Sequence, residues 1–279
     1  MSSFKNRLVA QLVEHVTLNH GVESSILSEP TKNHQLGGFF VFRKILICFC
    51  ANFEKNATMS TQINPTTIEF LSELKENNYR EWFQENKNHY TLATENFKQV
   101  LLQLIAGINE FDKSLGLIEP ADCLFRIYRD VRFSPNKQPY KTNLGAYIAI
   151  GGRKSTFAGY YFHIEPNASF LSGGIYMAPN EIMKRIREEI SDNVDEFLKI
   201  VESKNFKKYF VFDETEKLKK LPRGFESGSK VDEFLKLKHI TPFHELSNTE
   251  LLKPNILEHA LIVYREMYPL IAFLNRAIK

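Results

Sequence analysis

GYYFHIEPNASFLSGGIYM, residues 159–177, decides the fold. Two runs rich in aromatic and β-branched residues, 157–165 and 169–177, are joined by Pro166 and Asn167, a pair that turns the chain. A connection this short favours antiparallel neighbours, because parallel strands need a crossover of a dozen or more residues. The two-residue period of a strand sets Tyr160, Phe162 and Ile164 on one face of the first run and Tyr161, His163 and Glu165 on the other. Working outward, 143–150 and 123–133 read as two further strands, the former ended by the turn GGRKST and the latter by SPNKQPY.

Helical spacing takes over on both sides of these strands. Ile68, Phe70, Leu71 and Leu74 predict a helix over 66–77, capped by Thr66 or Thr67 and stopped at Asn77 and Asn78. Phe97, Val100, Leu101, Leu104, Ile105 and Ile108 predict a longer one within 80–115, broken once near 89–91. Beyond Pro179 the spacing of Ile182, Ile186 and Ile190, then of Val194, Phe197, Leu198 and Val201, is helical again. A last helix begins after Pro254, where Pro269 should kink or end it. Helices, then strands, then helices predict an α+β domain with an antiparallel sheet of about four or more strands flanked by N-terminal and C-terminal helices. Gly151 with Gly152, and Gly173 with Gly174, lack the spacing of a Walker loop or a dinucleotide fingerprint and read as turn or close-packing glycines.

The chain has 279 residues, 43% of them apolar and 25% charged, ample for one sizeable core. Residues 1–58 read differently, because 9–33 show no period that builds a core. Their AQLVE run resembles peptides made when a reading frame extends through a transfer-RNA gene, and translation is expected to begin at Met59. The apolar run 39–51 is split by Arg43 and Lys44 and falls short of the roughly 20 residues that span a membrane. Residues 1–58 are thus expected to be a mis-called or disordered leader, and 59–279 one domain. Of the 36 Lys and Arg and 33 Asp and Glu in the chain, 6 and 4 lie in 1–58, leaving 30 against 29. A domain this near to neutral is not favoured as a general nucleic-acid binder, which needs a broad basic face. Of the three cysteines only Cys123 lies in the expected domain, so neither a disulfide framework nor a four-cysteine zinc site can be assembled there, and a reduced cytoplasmic setting is the simplest reading.

Basicity is local instead. RIYRDVRFSPNKQPYKT, residues 126–142, sets Arg126, Arg129, Arg132, Lys137 and Lys141 against Asp130 alone. Five cations in one short stretch call for an anion or an acidic partner among them. If 123–133 is a strand, Arg129 interrupts an apolar face of Phe125, Ile127, Val131 and Phe133. There it needs either a ligand or an ion pair, with Glu81 or Glu85 as candidate partners. On the opposite face Arg126 and Arg132 offer planar forks for phosphate or carboxylate, and Asp130 stands as ligand contact or internal counter-ion. The turn adds Asn136, Lys137, Tyr140 and Lys141, stiffened by Pro135 and Pro139. His163 and Glu165 form a close histidine and carboxylate pair on a predicted strand, the candidate general base and its orienting group, with a purely structural histidine as the competing account. Spacing along a strand puts their side chains about 6 to 7 Å apart, so contact is not required. No set of ligands has metal spacing, and no cofactor motif is present.

Arg126, Arg129, Asp130, Arg132, Phe133, Asn136, Lys137, Tyr140, Lys141 and Thr142 together resemble the signature of the DUF2461 family of uncharacterised bacterial proteins, some of whose members are fungal. The resemblance extends from about Thr66 to the C-terminus through NNYREWFQENKNHY (77–90), GYYFHIEP (159–166), Gly173 with Gly174, and LPRGF (221–225). It implies no activity, cofactor or catalytic residue.

Three functions fit the sequence. The first is a pocket for a small anionic or phosphorylated ligand, with enzymatic activity open. The second is a module gripping nucleic acid or an acidic protein surface, and the third is a structural ion-pair network. A concave site shared by the Arg126 strand, His163 and Asn86 would mark the first; a convex basic strip would mark the second, and full pairing of the arginines the third. Oligomeric state is not legible.

Overall fold

The computed structural model describes residues 62–278. The expectations for residues 1–58, a leader without a core and without a membrane span, lie outside the described residues. Pro65 opens α1 (Pro65–Glu76) at the first helical position, where its missing N–H costs nothing. The cap is Asn64 rather than Thr66 or Thr67, and Thr67 is instead buried beneath the helix. Asn96 ties this entry down, its Oδ1 accepting from Asn64 N at 2.8 Å and its Nδ2 donating to Gln62 O at 3.1 Å.

The second helical stretch breaks at Asn86, three residues before the expected point, giving α2 (Arg80–Glu85) and α3 (Lys87–Phe111). Asn86 stops α2 by donating its side-chain amide to Trp82 O at 3.0 Å. Then come α4 (Pro120–Cys123), β1 (Leu144–Ile148), β2 (Gly159–Ile164) and β3 (Ser169–Gly174). The later elements are α5 (Asn180–Asp192), α6 (Val194–Val201), α7 (Lys204–Tyr209), α8 (Asp232–Leu235), β4 (Phe243–Leu246), α9 (Asn248–Leu251) and α10 (Ile256–Ile278).

The fold is α+β, with a four-stranded antiparallel sheet in the order β1, β2, β3, β4 and helices before and after it. One expected strand is absent and one strand was not expected. Residues 123–133 do not join the ladder, because Pro120 starts a helical turn through Cys123. Beyond that turn the chain pairs only through the isolated bridges of Leu124 with Ala146 and Tyr128 with Tyr140. Arg129 N donates to Pro139 O at 2.9 Å, but Pro139 has no N–H to return, and pairing stops there. The sheet takes its fourth strand from β4, more than 60 residues after β3, with Ser172 opposite Phe243 and Ser169 opposite Leu246.

The hairpin of β2 and β3 forms as its sequence dictates. Asn167 adopts φ 62 in the turn, which an asparagine tolerates, and Ala168 N closes it on Glu165 O at 3.1 Å. The inner face of the sheet, with Leu144, Ala146, Ile148, Tyr160, Phe162, Ile164 and Leu171, is buried under α3 and α10, which also pack on each other. Phe97 meets Phe162 edge-on at 5.6 Å, and Tyr264 meets Tyr160 at 5.2 Å. Helix α10 runs unbroken past Pro269. Both Pro269 and Arg265, the residue four earlier, lie on its exposed side, where water can reach the carbonyl that proline leaves without a donor.

Candidate functional site

The outer face of the sheet carries Tyr147 on β1, Tyr161 and His163 on β2, and Phe170 on β3, all half-buried. Register brings these together: His163 lies opposite Gly145 on one side and Phe170 on the other. The imidazole stacks on the Phe170 ring at 4.6 Å and 14°. Glycine at 145 is what lets Tyr161 lie across β1, since a Cβ there would come within 2.6 Å of the phenol oxygen.

A continuous hydrogen-bonded chain runs through this cluster. Thr142 Oγ1 donates to Glu165 Oε1 at 2.7 Å, and Glu165 Oε2 lies 3.1 Å from His163 Nε2. His163 Nδ1 lies 2.9 Å from the Tyr161 hydroxyl, with Asn143 Nδ2 at 3.5 Å. A carboxylate only accepts, so Nε2 carries the ring proton and Nδ1 accepts from Tyr161. Burial pulls the His163 pKa below its ordinary value, against the opposing bond and charge of Glu165 and with help from Lys141. Burial first, then the Glu165 charge, pushes the Tyr161 phenol up to about 12. Both groups are therefore neutral near pH 7. Because both ring nitrogens of His163 are engaged, the group able to meet a ligand is the Tyr161 oxygen, which can take a proton while passing its own to Nδ1.

The basic residues separate into two sets. Lys141 is half-buried beside the cluster, its Nζ 5.4 Å from the Phe125 ring centroid. Burial and the Arg126 charge hold its pKa below the usual lysine range. Phe125 meets the Tyr161 ring edge-on at 6.2 Å, so the Phe125, Arg126 and Lys141 corner adjoins the hydrogen-bonded chain. Among the described residues neither Arg126 nor Lys141 has a carboxylate within ion-pair distance.

The second set lies on the exposed loop 130–138. Arg132 grips Asp130 through Nε at 3.0 Å and Nη2 at 2.7 Å, making Asp130 its counter-ion and lowering the Asp130 pKa. Lys137 donates to Val131 O at 3.1 Å, and Asn136 Oδ1 accepts from Gln138 N at 2.9 Å, turning the loop. Tyr140 points elsewhere: its ring is buried and stacked on Phe83 at 4.0 Å, with its backbone pinned by both amide atoms of Asn78. The expected strand faces fail with the strand itself. Phe133, expected beside Arg129 on an apolar face, is 94% exposed. Arg129 is half-buried and forms no ion pair with Glu81 or Glu85 among the described residues. Asn86 serves the end of α2.

Sequence reasoning gave Thr142 no part beyond the family signature and missed Asn143 and Phe170. The signal for Phe170 lay in the hairpin, where a two-residue turn sets it across from His163. Cys123 is buried, and burial pushes its thiol up to about 12, far from a reactive thiolate. Among the described residues no group of three or more His, Cys, Asp or Glu is placed to hold a metal ion, and no helix is long and apolar enough to cross a membrane.

Fold and site together define a class: an α+β domain whose sheet is roofed by helices on one side and carries a tyrosine, histidine and glutamate chain on the other. The chain belongs to the family described as conserved hypothetical protein (DUF2461), whose model matches residues 66–273. Neither a comparison with curated proteins nor one with solved structures gives a match.

Proposed function

We propose that this family member binds a small anionic or phosphorylated ligand at Arg126 and Lys141, with Tyr161, His163 and Glu165 serving as an acid and base relay beside it. One observation carries the reading: two neighbouring cations, one of them half-buried with its pKa held down, adjoin the hydrogen-bonded chain of Tyr161, His163 and Glu165, and neither forms an ion pair among the described residues, Asp130 feeling the Arg126 charge while bonded to Arg132. An anion bound there would relieve their mutual repulsion and gain charge-assisted hydrogen bonds. The relay then works without further groups. A ligand O–H gives its proton to the Tyr161 oxygen, the Tyr161 proton moves to His163 Nδ1, and Glu165 stabilises the resulting imidazolium. A saturated ion-pair network is less well supported, because of the three arginines only Arg132 is ion-paired among the described residues. A reduced, cytoplasmic setting belongs to the same reading.

Titration calorimetry with inorganic phosphate and a panel of phosphorylated metabolites tests it. Lys141→Ala and Arg126→Ala should each weaken binding by about tenfold or more, the scale of a lost charge-assisted hydrogen bond. Arg132→Ala, whose guanidinium already has its counter-ion, should bind as the natural protein does. Equal binding by all three variants would refute the site.

A further inference from the structure

We propose that the anion held at Arg126 and Lys141 is a nucleoside phosphate whose base stacks on Phe125; this rests on the anion site proposed for those two residues and names its ligand class. Five aromatic rings stand exposed among the described residues, and three of them, Phe125, Tyr128 and Phe133, fall within nine positions. Each is the sequence neighbour of an arginine: Phe125 of Arg126, Tyr128 of Arg129, and Phe133 of Arg132. Exposed rings interleaved with cations in one segment match a ligand that is flat and apolar at one end and anionic at the other.

Phe125 is the ring in position to serve the site. It is 39% exposed, has no polar atom to justify its place at the surface, and is fixed by the Tyr161 edge and by Lys141. A phosphate on Lys141 and Arg126 therefore sits beside an aromatic face. A sugar phosphate alone would leave that face to water, whereas a purine or pyrimidine covers it and gains a cation–π contribution from the flanking charge. The ligand is expected to be small. The near balance of 30 cationic and 29 acidic residues after position 58 provides no long basic track for a polyanion. The same chemistry is offered by a free mononucleotide and by the phosphorylated end of a strand, so the experiment carries both.

Titration calorimetry on the full chain would use inorganic phosphate, ribose 5-phosphate, the four ribonucleoside monophosphates and a 5′-phosphorylated tetranucleotide. At least one monophosphate should bind about tenfold or more tighter than ribose 5-phosphate, the scale of one base stacking on one ring. Phe125→Ala should erase that margin while leaving the ribose 5-phosphate affinity unchanged, and Phe125→Trp should restore it. A tetranucleotide binding no tighter than its best monophosphate supports the free nucleotide, and one binding tighter, with the same loss in Phe125→Ala, supports the strand end. If every monophosphate binds only as well as ribose 5-phosphate, and all are weakened by Lys141→Ala, the nucleoside assignment fails while the anion site stands. If no phosphate binds at all, both fail.

Discussion

At the scale of single residues, the outer face of the sheet is governed by who donates to whom. Glu165 raises the His163 pKa against the lowering effect of burial. Glu165→Gln should therefore drop that pKa further below its ordinary value, visible in an NMR titration of the imidazole; an unchanged or higher value would mean the contact is absent in solution. Replacing Gly174 tests the backbone. Its φ is 113, and an added Cβ would collide with the Ile240 carbonyl oxygen, which cannot swing aside as a side chain could. Gly174→Ala should cost about 3 kcal/mol or more in urea unfolding, in the range of strained backbone combined with overpacking. The face shared by Tyr161, His163 and Glu165 was legible, since alternation alone assigns it. Their direct contact was not, because a two-residue step along a strand gives a separation too wide for a hydrogen bond until rotamers close it. Thr142 and Asn143 were hidden for another reason: the long 149–158 connection leaves the register between β1 and β2 open.

At the scale of elements, helix periodicity was read well and the edges of the sheet poorly. The residues of 123–133 alternate as a strand should, yet Pro120 opens a helical turn into its start and Pro139, across from Arg129, has no N–H to return, and local pattern cannot show what lies alongside. FHEL, the β4 strand, has only four residues and no turn signal, and its partner is remote in sequence. Strand β4 and α10 meet through histidines: His244 Nε2 lies 3.0 Å from His259 Nε2, and His244 Nδ1 lies 2.9 Å from Tyr209 O. Burial, then the neighbouring His244, lowers the His259 pKa. With His163 and His259 both depressed in the folded state, the unfolded chain takes up protons first as pH falls below about 6.5. Their contribution to stability is thus complete above that pH and erodes on the way down to the folded pKa values. The melting temperature should fall between pH 7.5 and pH 5.5, and a His163→Asn, His259→Asn double variant should fall less. An equal or steeper fall in the variant would exclude these two groups as the cause.

At the scale of the whole molecule, one apolar core among the described residues runs through the helices and the inner face of the sheet they cover. We propose that 59–279 folds as one domain, since among the described residues, which begin at 62, the buried apolar side chains from Ile63 to Leu274 join a single core. Limited proteolysis of the full chain should leave a resistant fragment beginning near residue 60 with an unchanged melting temperature; a lower one would show that earlier residues support the fold. Composition foretold the near-neutral domain with one basic patch. It did not foretell that the patch divides, with Arg132 and Lys137 engaged on the outer loop and Arg126 and Lys141 left beside the tyrosine, because counter-ion choice depends on which loop folds back on itself.

Asn275, three residues from the end of α10, exchanges two hydrogen bonds with the backbone of Ala158, one at 2.8 Å and one at 3.1 Å. Both partners are buried, so those amide groups have no alternative in water. Ala158 is synthesised more than a hundred residues before its partner emerges. The connection from β1 into β2 therefore completes its buried hydrogen bonds only once α10 has been made and docked, and a chain cut before Asn275 would leave both of those Ala158 groups unpaired.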